Sequence, residues 1–426
     1  MSFHFSRNPA GFFRNSLLPL AGVLLVASAA AGAAEPLNVE VQETAGIARF
    51  GYPVTGTFRW PDAKAESFRL LRDGRPIESQ FSRIGVGKDD SQWEVDFNLD
   101  LLPFETRSFR IEAQTAAPAE SATSRGLSLE RNAGKILIRR PGLDFETPEN
   151  IFQLLEAVKS PKQDYFVPGS AGFFIRDRDG ELHHVEPGET PAGSKLEILK
   201  SGALCAALRL TSDAALGAGQ RAKTTLRLDF PRSKSWVRVA WTVDDPRQMI
   251  ASLGAKFQLR LTPAQGRPTL VDFGAPSSVY TALQPSQLTV FQASPRSLAA
   301  AAAKSGGRVI PWEITRGTAD RMVSYVAGLE DDARPVEGWA HVMDDKLCTA
   351  IAVDRFARET TDRIEASADG RVEIWREYSA ASDGKLPEAK TLVFWLHFVP
   401  SPPHIGAVTS PQSMQSPLEV LIVSPK

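Results

Sequence analysis

The stretch KTTLRLDFPRSKSWVRVAWTVDD, from Lys223 to Asp245, decides the fold class. Apolar and polar residues alternate in both of its halves, and a short polar turn separates the halves. Successive side chains of a strand point to opposite faces, so this pattern predicts an antiparallel hairpin. One face of the predicted hairpin is apolar and carries Leu226, Leu228, Phe230, Val237, Val239, Trp241 and Val243.

The opposite face of the second strand carries Trp236, Arg238, Ala240 and Thr242. A tryptophan, an arginine and a threonine on one sheet face suit two different surroundings. The face is either the solvent side of a sheet or the inside of a glycan-binding groove, and the hairpin alone leaves both open.

The composition sets the size and the class of the protein. A chain of 426 residues with 42% hydrophobic side chains is long enough for two domains. Its 49 basic and 50 acidic side chains give a formal net charge of -1, and the basic ones are scattered along the sequence. This balance argues against nucleic acid as a partner.

The N-terminus has the pattern of a secretory signal peptide over residues 1–34. Arg7 and Arg14 precede an apolar core from Leu17 to Ala30, and the small residues Ala31–Ala33 follow as a cleavage motif. The apolar core is shorter than the roughly 20 residues of a membrane-spanning helix. We therefore expect an exported mature chain, periplasmic or extracellular, without a membrane span; a retained signal anchor is the alternative.

The remaining sequence divides into four parts. Residues 35–114 form short alternating segments with frequent turns, which predicts a small β-barrel or sandwich. Residues 115–126 lack large apolar side chains and form a linker, and 127–400 again alternate in strand after strand. The tail, 401–426, is rich in proline, with Leu418–Val423 as a late strand. The prediction is an all-β protein: a small N-terminal barrel followed by a large antiparallel β-sandwich.

Helical signals are few. Thr147, Pro148 and Glu149 precede the segment IFQLLEAV, which predicts a capped helix start with proline at the first helical position. Ser297–Lys304 is either a second short helix or an ordered loop. Neither segment is long enough to form a layer of the fold.

The N-terminal part resembles a known family in the order of its elements. The segments GIARFGYPVTGTF (Gly46–Phe58), LRDGRPIESQ (Leu71–Gln80) and SQWEVDFNLDLLPFETRSFRIEA (Ser91–Ala113) resemble the RIFT barrel of the exo-acting rhamnogalacturonan lyases. The segments Leu226–Asp245, Gly338–Phe356 and Ala389–Phe398 look like the central β-sandwich of that family, which is similar to the galactose-mutarotase supersandwich.

The resemblance implies a RIFT-type barrel, a supersandwich and a carbohydrate ligand. Lyases of this family continue from the sandwich into a helical α/α toroid, whereas the sequence reaches Lys426 where that toroid would start. We expect the toroid to be absent, and no catalytic residue is transferred to this chain.

Two groups of side chains are candidates for carbohydrate binding. Trp339 and His341 share one face of a predicted strand and could stack on a sugar ring and bind its hydroxyls. The alternative for them is a packed aromatic residue beside a satisfied histidine.

In the segment VEIWREY, Trp375, Arg376 and Tyr378 form the second group, because an arginine could pair with the carboxylate of a uronate. The alternative is an arginine whose aliphatic stem covers the sheet. Trp236 and Arg238 of the first hairpin belong to the same hypothesis.

Metal, cofactor and disulfide signals are weak. His183 and His184 are adjacent on a strand and point to opposite faces, so no metal site is expected. Cys205 and Cys348 either form one disulfide or are two separate buried thiols. No phosphate-binding loop or zinc signature is present, and no cofactor is expected.

The first functional hypothesis is an exported protein that binds an acidic polysaccharide without cleaving it. The alternatives are a polysaccharide lyase that acts by β-elimination on a uronic-acid polymer, and a structural envelope protein without a glycan ligand.

Overall fold

The all-β class is confirmed. A computed structural model of the protein contains 29 strands and one short helix in the part of the chain that it describes. The described residues are 35–61, 65–86, 91–114, 126–185, 194–216, 220–276, 278–295, 310–328, 336–379, 385–401 and 411–423. The predicted signal peptide, nearly all of the predicted linker and the segment Ser297–Lys304 lie outside these ranges.

The N-terminal unit consists of two antiparallel sheets. Its strands are β1 Leu37–Gln42, β2 Arg49–Trp60, β3 Phe68–Arg72, β4 Arg75–Ile77, β5 Ser79–Val86, β6 Ser91–Leu101 and β7 Thr106–Ala113, with β29 Glu419–Val423 from the tail. One sheet has the order β29-β1-β7-β3-β4 and the other the order β2-β6-β5. Among the described strands neither sheet closes on itself, so this unit is two packed sheets rather than a closed barrel.

The larger part of the chain forms an antiparallel sandwich. Its strands are β8 Ser128–Asn132, β9 Lys135–Arg140, β10 Leu143–Pro148, β11 Ala157–Lys159, β12 Gly172–Asp177, β13 Leu182–His184, β14 Lys195–Ser201, β15 Cys205–Ala215, β16 Arg221–Pro231, β17 Trp236–Asp244, β18 Ile250–Gln258, β19 Thr269–Gly274, β20 Ser278–Leu283, β21 Leu288–Ala293, β22 Trp312–Thr318, β23 Arg321–Ala327, β24 Trp339–Met343, β25 Leu347–Val353, β26 Thr360–Ser367, β27 Arg371–Tyr378 and β28 Ala389–Pro400.

Two large sheets and one small sheet make up this sandwich. The nine-stranded sheet has the order β14-β15-β16-β17-β28-β25-β24-β19-β20, and the eight-stranded sheet has the order β13-β12-β18-β27-β26-β21-β22-β23. The four-stranded sheet β11-β10-β9-β8 adds to the same core. The first hairpin, β16 and β17, lies inside the nine-stranded sheet, and Val237, Val239 and Trp241 are completely buried between the sheets.

The helix predicted after Thr147 is wrong. Thr147 and Pro148 belong to β10 and pair with β9 across the ladder. Because both residues are already in a strand, Thr147 cannot cap a helix. The apolar side chains that follow are almost completely buried in the core: Phe152, Leu154 and Leu155. The helix of the described chain is α1, Pro411–Gln415.

The N-terminal unit packs on the outer face of the nine-stranded sheet. Trp236, Trp339 and Trp395 on this face belong to one apolar cluster with Val95 and Phe97 of β6. The face of the nine-stranded sheet that points away from the sandwich core is therefore covered by the N-terminal unit, and the tail adds to this cover. Met414 of α1 joins this cluster, and β29 pairs with β1.

Cys205 and Cys348 are two free, buried thiols on β15 and β25. Burial raises the pKa of both, to about 12 for Cys348. Within the described ranges, the structure contains no helix long and apolar enough to cross a membrane.

Candidate functional site

A cavity of about 470 Å³ lies between the N-terminal unit and the outer face of the nine-stranded sheet. Strands β2 and β6 form one side of it, and β15, β16, β17 and β28 form the other. Its charged and aromatic lining consists of Tyr52, Glu94, Asp96, Phe97, Arg227, Asp229, Trp236, Arg238, Asp354 and Trp395. Pro417 and Leu418 of the tail complete the wall.

Two indole rings form the sheet side of the cavity. Trp395 lies directly across from Arg238 in the ladder between β17 and β28, and Trp236 is the diagonal neighbour of Trp395. The alternation along β17 that buries Trp241 in the core turns Trp236 to the opposite face. The ring of Tyr52 meets Trp236 edge-on at 5.8 Å, and the Arg238 guanidinium lies 5.8 Å from the Trp395 ring centre.

A chain of ion pairs at the cavity wall joins one unit to the other. Lys200 on β14 donates from Nζ to both oxygens of Asp96, at 2.8 and 2.7 Å, and lies 2.7 Å from Glu94 Oε2. Arg227 continues the chain, with Nη2 at 3.2 Å from Glu94 and Nε at 2.8 Å from Asp229. These pairs bind β6 of the N-terminal unit to the sandwich.

Arg238 is the last cation of this chain. Its Nη1 donates to Asp229 Oδ2 at 3.2 Å, and 38% of its side-chain surface stays exposed. Arg227, by comparison, is held by two carboxylates. Arg238 is therefore the cavity cation best placed to contact a ligand.

Burial and ion pairing act against each other on these carboxylates. Burial works to raise the pKa of Glu94, but Lys200 and Arg227 lower it below its usual value. Asp96 is more deeply enclosed, and burial raises its pKa although Lys200 opposes the change. Burial acts to lower the pKa of the Lys200 amine, but the negative charges of Asp96 and Glu94 raise it above its usual value.

Asp354 adds a carboxylate from the end of β25. Burial raises its pKa, and the positive charges of Arg376 and Arg238 partly oppose this rise. Among the described residues, no group donates a hydrogen bond to its carboxylate. Asp354 can therefore accept a hydrogen bond from a ligand hydroxyl.

The seven residues singled out from the sequence do not form one site. Trp236 and Arg238 line the cavity. Trp339 and His341 lie on the same sheet face, with ring centres 5.1 Å apart, but do not line the cavity. Trp339 Nε1 donates to Glu337 at 2.7 Å.

Arg376 and Tyr378 point into the sandwich. Arg376 forms a bidentate pair with Asp362, with both distances 2.9 Å, and Tyr378 donates to the carbonyl of Thr391 at 2.8 Å. With 6% of its surface exposed, Arg376 is fixed by Asp362 and is unable to reach a uronate.

Trp375 lies on the outer face of the eight-stranded sheet, whereas the cavity lies against the nine-stranded sheet. Its ring lies over Gly254, where a Cβ atom would come within 2.5 Å of the indole. Lys256, Arg176 and Arg363 surround it at 5.5 to 5.6 Å from the ring centre. Trp375 and Arg376 of VEIWREY thus lie on opposite faces of the eight-stranded sheet and cannot contact the same ligand.

Several lining residues were absent from the sequence-based set: Tyr52, Glu94, Asp229, Asp354 and Trp395. For Trp395 the sequence did contain a signal. Alternation in AKTLVFWLHF buries Phe394 and Leu396 in the sandwich core, so it turns Trp395 to the face of Trp236. For the carboxylates no spacing in the sequence indicates that they share a site.

One group of described residues could hold a metal ion. Donor atoms of Asp177, Glu181 and His183 lie within 4.8 Å of one another at the β12–β13 hairpin. His183 Nε2 is 2.8 Å from Asp177 Oδ2, so these two side chains already satisfy each other. His184 stacks on Phe174 on the opposite face, as the sequence predicted.

Solved structures share this fold. An alpha-mannosidase from Enterococcus faecalis V583 superposes with a TM-score of 0.54 at 12% identity, over 91% of this chain and 46% of that chain. A protein in Glycosyl Hydrolase Family 38 from Enterococcus faecalis gives 0.54 at 10% identity, over 91% and 47%. The chain thus spans about half the length of both proteins.

A galactose mutarotase-like protein from Lactobacillus casei ATCC 334 covers 62% of this chain with all of its own length, at 11% identity and a TM-score of 0.35. None of these three structures is described as a rhamnogalacturonan lyase, so that part of the resemblance stays a prediction. No family model and no curated protein matches the chain.

Proposed function

We propose that the protein binds carbohydrate in the cavity between the N-terminal unit and the nine-stranded sheet. The observation that carries this proposal is the pairing of two indole rings, Trp236 and Trp395, with charged hydrogen-bonding groups in one cavity of about 470 Å³. Pyranose rings have apolar faces and polar edges, so they suit an aromatic wall bordered by carboxylates and guanidinium groups.

An acidic sugar is the ligand class that we favour. Arg238 keeps donors available beyond its bond to Asp229, and a guanidinium can bind a carboxylate through two parallel hydrogen bonds. Asp354 would accept from a hydroxyl of the same sugar. This arrangement supports an acidic polysaccharide as the ligand and gives the arginine role to Arg238 instead of Arg376.

Binding is tested by titration calorimetry of the mature protein with oligogalacturonate and with a neutral oligosaccharide of equal length. Trp395→Ala should weaken binding at least tenfold, which corresponds to about 1.4 kcal/mol. Trp375→Ala is the matched control, because Trp375 is also a buried tryptophan but lies outside the cavity. Equal loss in both variants, with both still folded, would remove the cavity as the site.

Arg238→Gln separates the ligand classes. This substitution should weaken binding of the acidic oligosaccharide, while the affinity for the neutral oligosaccharide should change little. If the neutral sugar binds more tightly than the acidic one, carbohydrate binding stands but the acidic assignment does not.

The alternative is a lyase, in which a tyrosine, histidine or lysine removes a proton beside a neutralised carboxylate. Tyr52 is the tyrosine of the cavity, but it donates to Ser413 at 2.8 Å and burial raises its pKa to about 12. This favours binding over elimination. An absorbance assay for the unsaturated product decides between them.

We also propose that the protein is exported, as residues 1–34 predict. Mass spectrometry of the protein from its native host tests this, because cleavage should leave a mature chain that starts near Ala34 or Glu35.

A further inference from the structure

Two cationic side chains, Arg140 and Lys234, and the neutral imidazole of His397 lie near the start of β17, outside the carbohydrate cavity. The backbone places His397 and Lys234 together, because His397 pairs with Trp236 and the N–H of Phe398 donates to the carbonyl of Ser235 at 2.9 Å. Arg140 stands at the end of β9, and its Nε and Nη1 are buried. Among the described residues, no group accepts a hydrogen bond from either nitrogen. Burial alone lowers the pKa of this guanidinium to about 10. Arg140 as a whole is half-buried, but two buried guanidinium nitrogens without an acceptor are unfavourable, so a hydrogen-bond acceptor is missing from this site.

His397 faces the same region from β28. It lies across from Trp236 in the ladder, and the two rings meet edge-on at 5.8 Å. Only 2% of its surface is exposed, and its Nδ1 has no hydrogen-bond partner in the described part of the chain. Burial first, and then the charges of Lys234 and Arg140, lower its pKa to about 3.

Lys234 supplies a second cationic group, from the turn between β16 and β17. Its Nζ donates to the carbonyl of Phe50 at 2.6 Å. Burial lowers its pKa, the carboxylate of Asp100 opposes this change, and Arg140 and Arg49 add to it. Arg49 is paired with Glu43 at 3.0 Å, whereas Arg140 forms no such pair with a described residue.

We propose that Arg140, Lys234 and His397 form a binding site for an oxyanion, that is, a carboxylate, sulfate or phosphate group. The anion would accept from Nε and Nη1 of Arg140 and from Nδ1–H of neutral His397, which are the donors that lack partners. Lys234 would add a positive charge beside them. None of the three residues lines the carbohydrate cavity, so this site does not depend on the proposed function.

Thermal unfolding of the mature protein tests the site. Sodium phosphate, sodium sulfate and sodium galacturonate are each compared with sodium chloride at equal ionic strength. A hundredfold excess over Kd of a bound anion should raise Tm by about 3 °C or more. Arg140→Gln should abolish this rise, and without anion it should be at least as stable as the wild type, because the two unpaired buried nitrogens of the guanidinium are gone.

Arg139→Gln is the matched control, because Arg139 is the adjacent residue but is exposed and pairs with Glu130. It should keep the full anion effect. His397→Gln and Lys234→Gln should each reduce the effect, which tests the site even if Arg140→Gln fails to fold. Stabilisation by galacturonate alone would identify the ligand of this site as a sugar carboxylate. Stabilisation by phosphate or sulfate would identify it as a free inorganic anion.

Three results would overturn the proposal. They are no anion-specific rise in Tm, an equal rise in Tm in the Arg140→Gln variant and the wild type, and a loss of the rise in the Arg139→Gln control that equals the loss in Arg140→Gln. The carbohydrate proposal is tested separately, since Trp395→Ala should leave the anion effect unchanged.

Discussion

Lys200 is the side chain on which the junction between the two units should depend most. It is 1% exposed and its Nζ contacts Asp96 and Glu94, both from the other unit. Lys200→Met keeps the aliphatic stem but removes the charge. Glu94 retains Arg227 as a partner, whereas among the described residues Asp96 keeps only the hydroxyl of Thr55 at 2.6 Å. A buried carboxylate would thus lose its cation, which costs about 3 to 5 kcal/mol.

The pH dependence gives this prediction a second measurement. Burial already raises the pKa of Asp96, and loss of Lys200 should raise it further. An acid whose pKa is higher in the folded state binds protons more tightly there, so folding gains stability as the pH falls through that pKa. The loss in free energy of unfolding caused by Lys200→Met should therefore be largest at pH 7.5 and become smaller towards pH 5.

Urea unfolding at both pH values measures the effect. The double variant Lys200→Met with Asp96→Asn should recover part of the loss at pH 7.5, because the orphaned charge is gone. Arg209→Met is the control, because its pair with Glu197 is exposed and should contribute less than about 1 kcal/mol. A Lys200→Met protein within 1 kcal/mol of the wild type, with no pH dependence, would refute the reasoning.

Two further changes test buried carboxylates elsewhere. Burial works to raise the pKa of Glu43, but backbone donors such as Phe104 and the side chain of Arg49 lower it. Its contribution to stability is therefore present above the usual carboxyl pKa and is lost as the pH falls. Glu43→Gln should lower the free energy of unfolding by about 3 kcal/mol at pH 7 and by much less at pH 3, as measured by urea unfolding. Arg376→Lys should cost a similar amount, on the order of 3 kcal/mol, because a lysine cannot replace the bidentate pair with Asp362. Its affinity for oligogalacturonate should stay unchanged, and a selective loss of that affinity in a stably folded variant would restore Arg376 to the binding site.

Strand alternation predicted much of the sheet from the sequence but not the partners of its side chains. The period of two correctly separated Trp241 from Trp236, because it fixes which face each residue occupies. It could not show that Arg376 faces inward towards Asp362 and Trp375 outward, since either face of β27 could have been covered. The wrong helix after Thr147 has a similar cause. A local capping signal was overridden by the ladder between β9 and β10.

The sequence by itself determined the all-β class and the face of the first hairpin that enters the core. Those properties depend on the alternation of neighbouring residues, which is a local feature. Only the tertiary structure decided that the other face of the hairpin is covered, because its cover comes from β6 and from the tail. It also brought Trp395 beside Trp236 and Asp96 beside Lys200, since β17 pairs with β28 and the two units meet over this sheet. These contacts join residues more than 100 positions apart, and no local pattern encodes them.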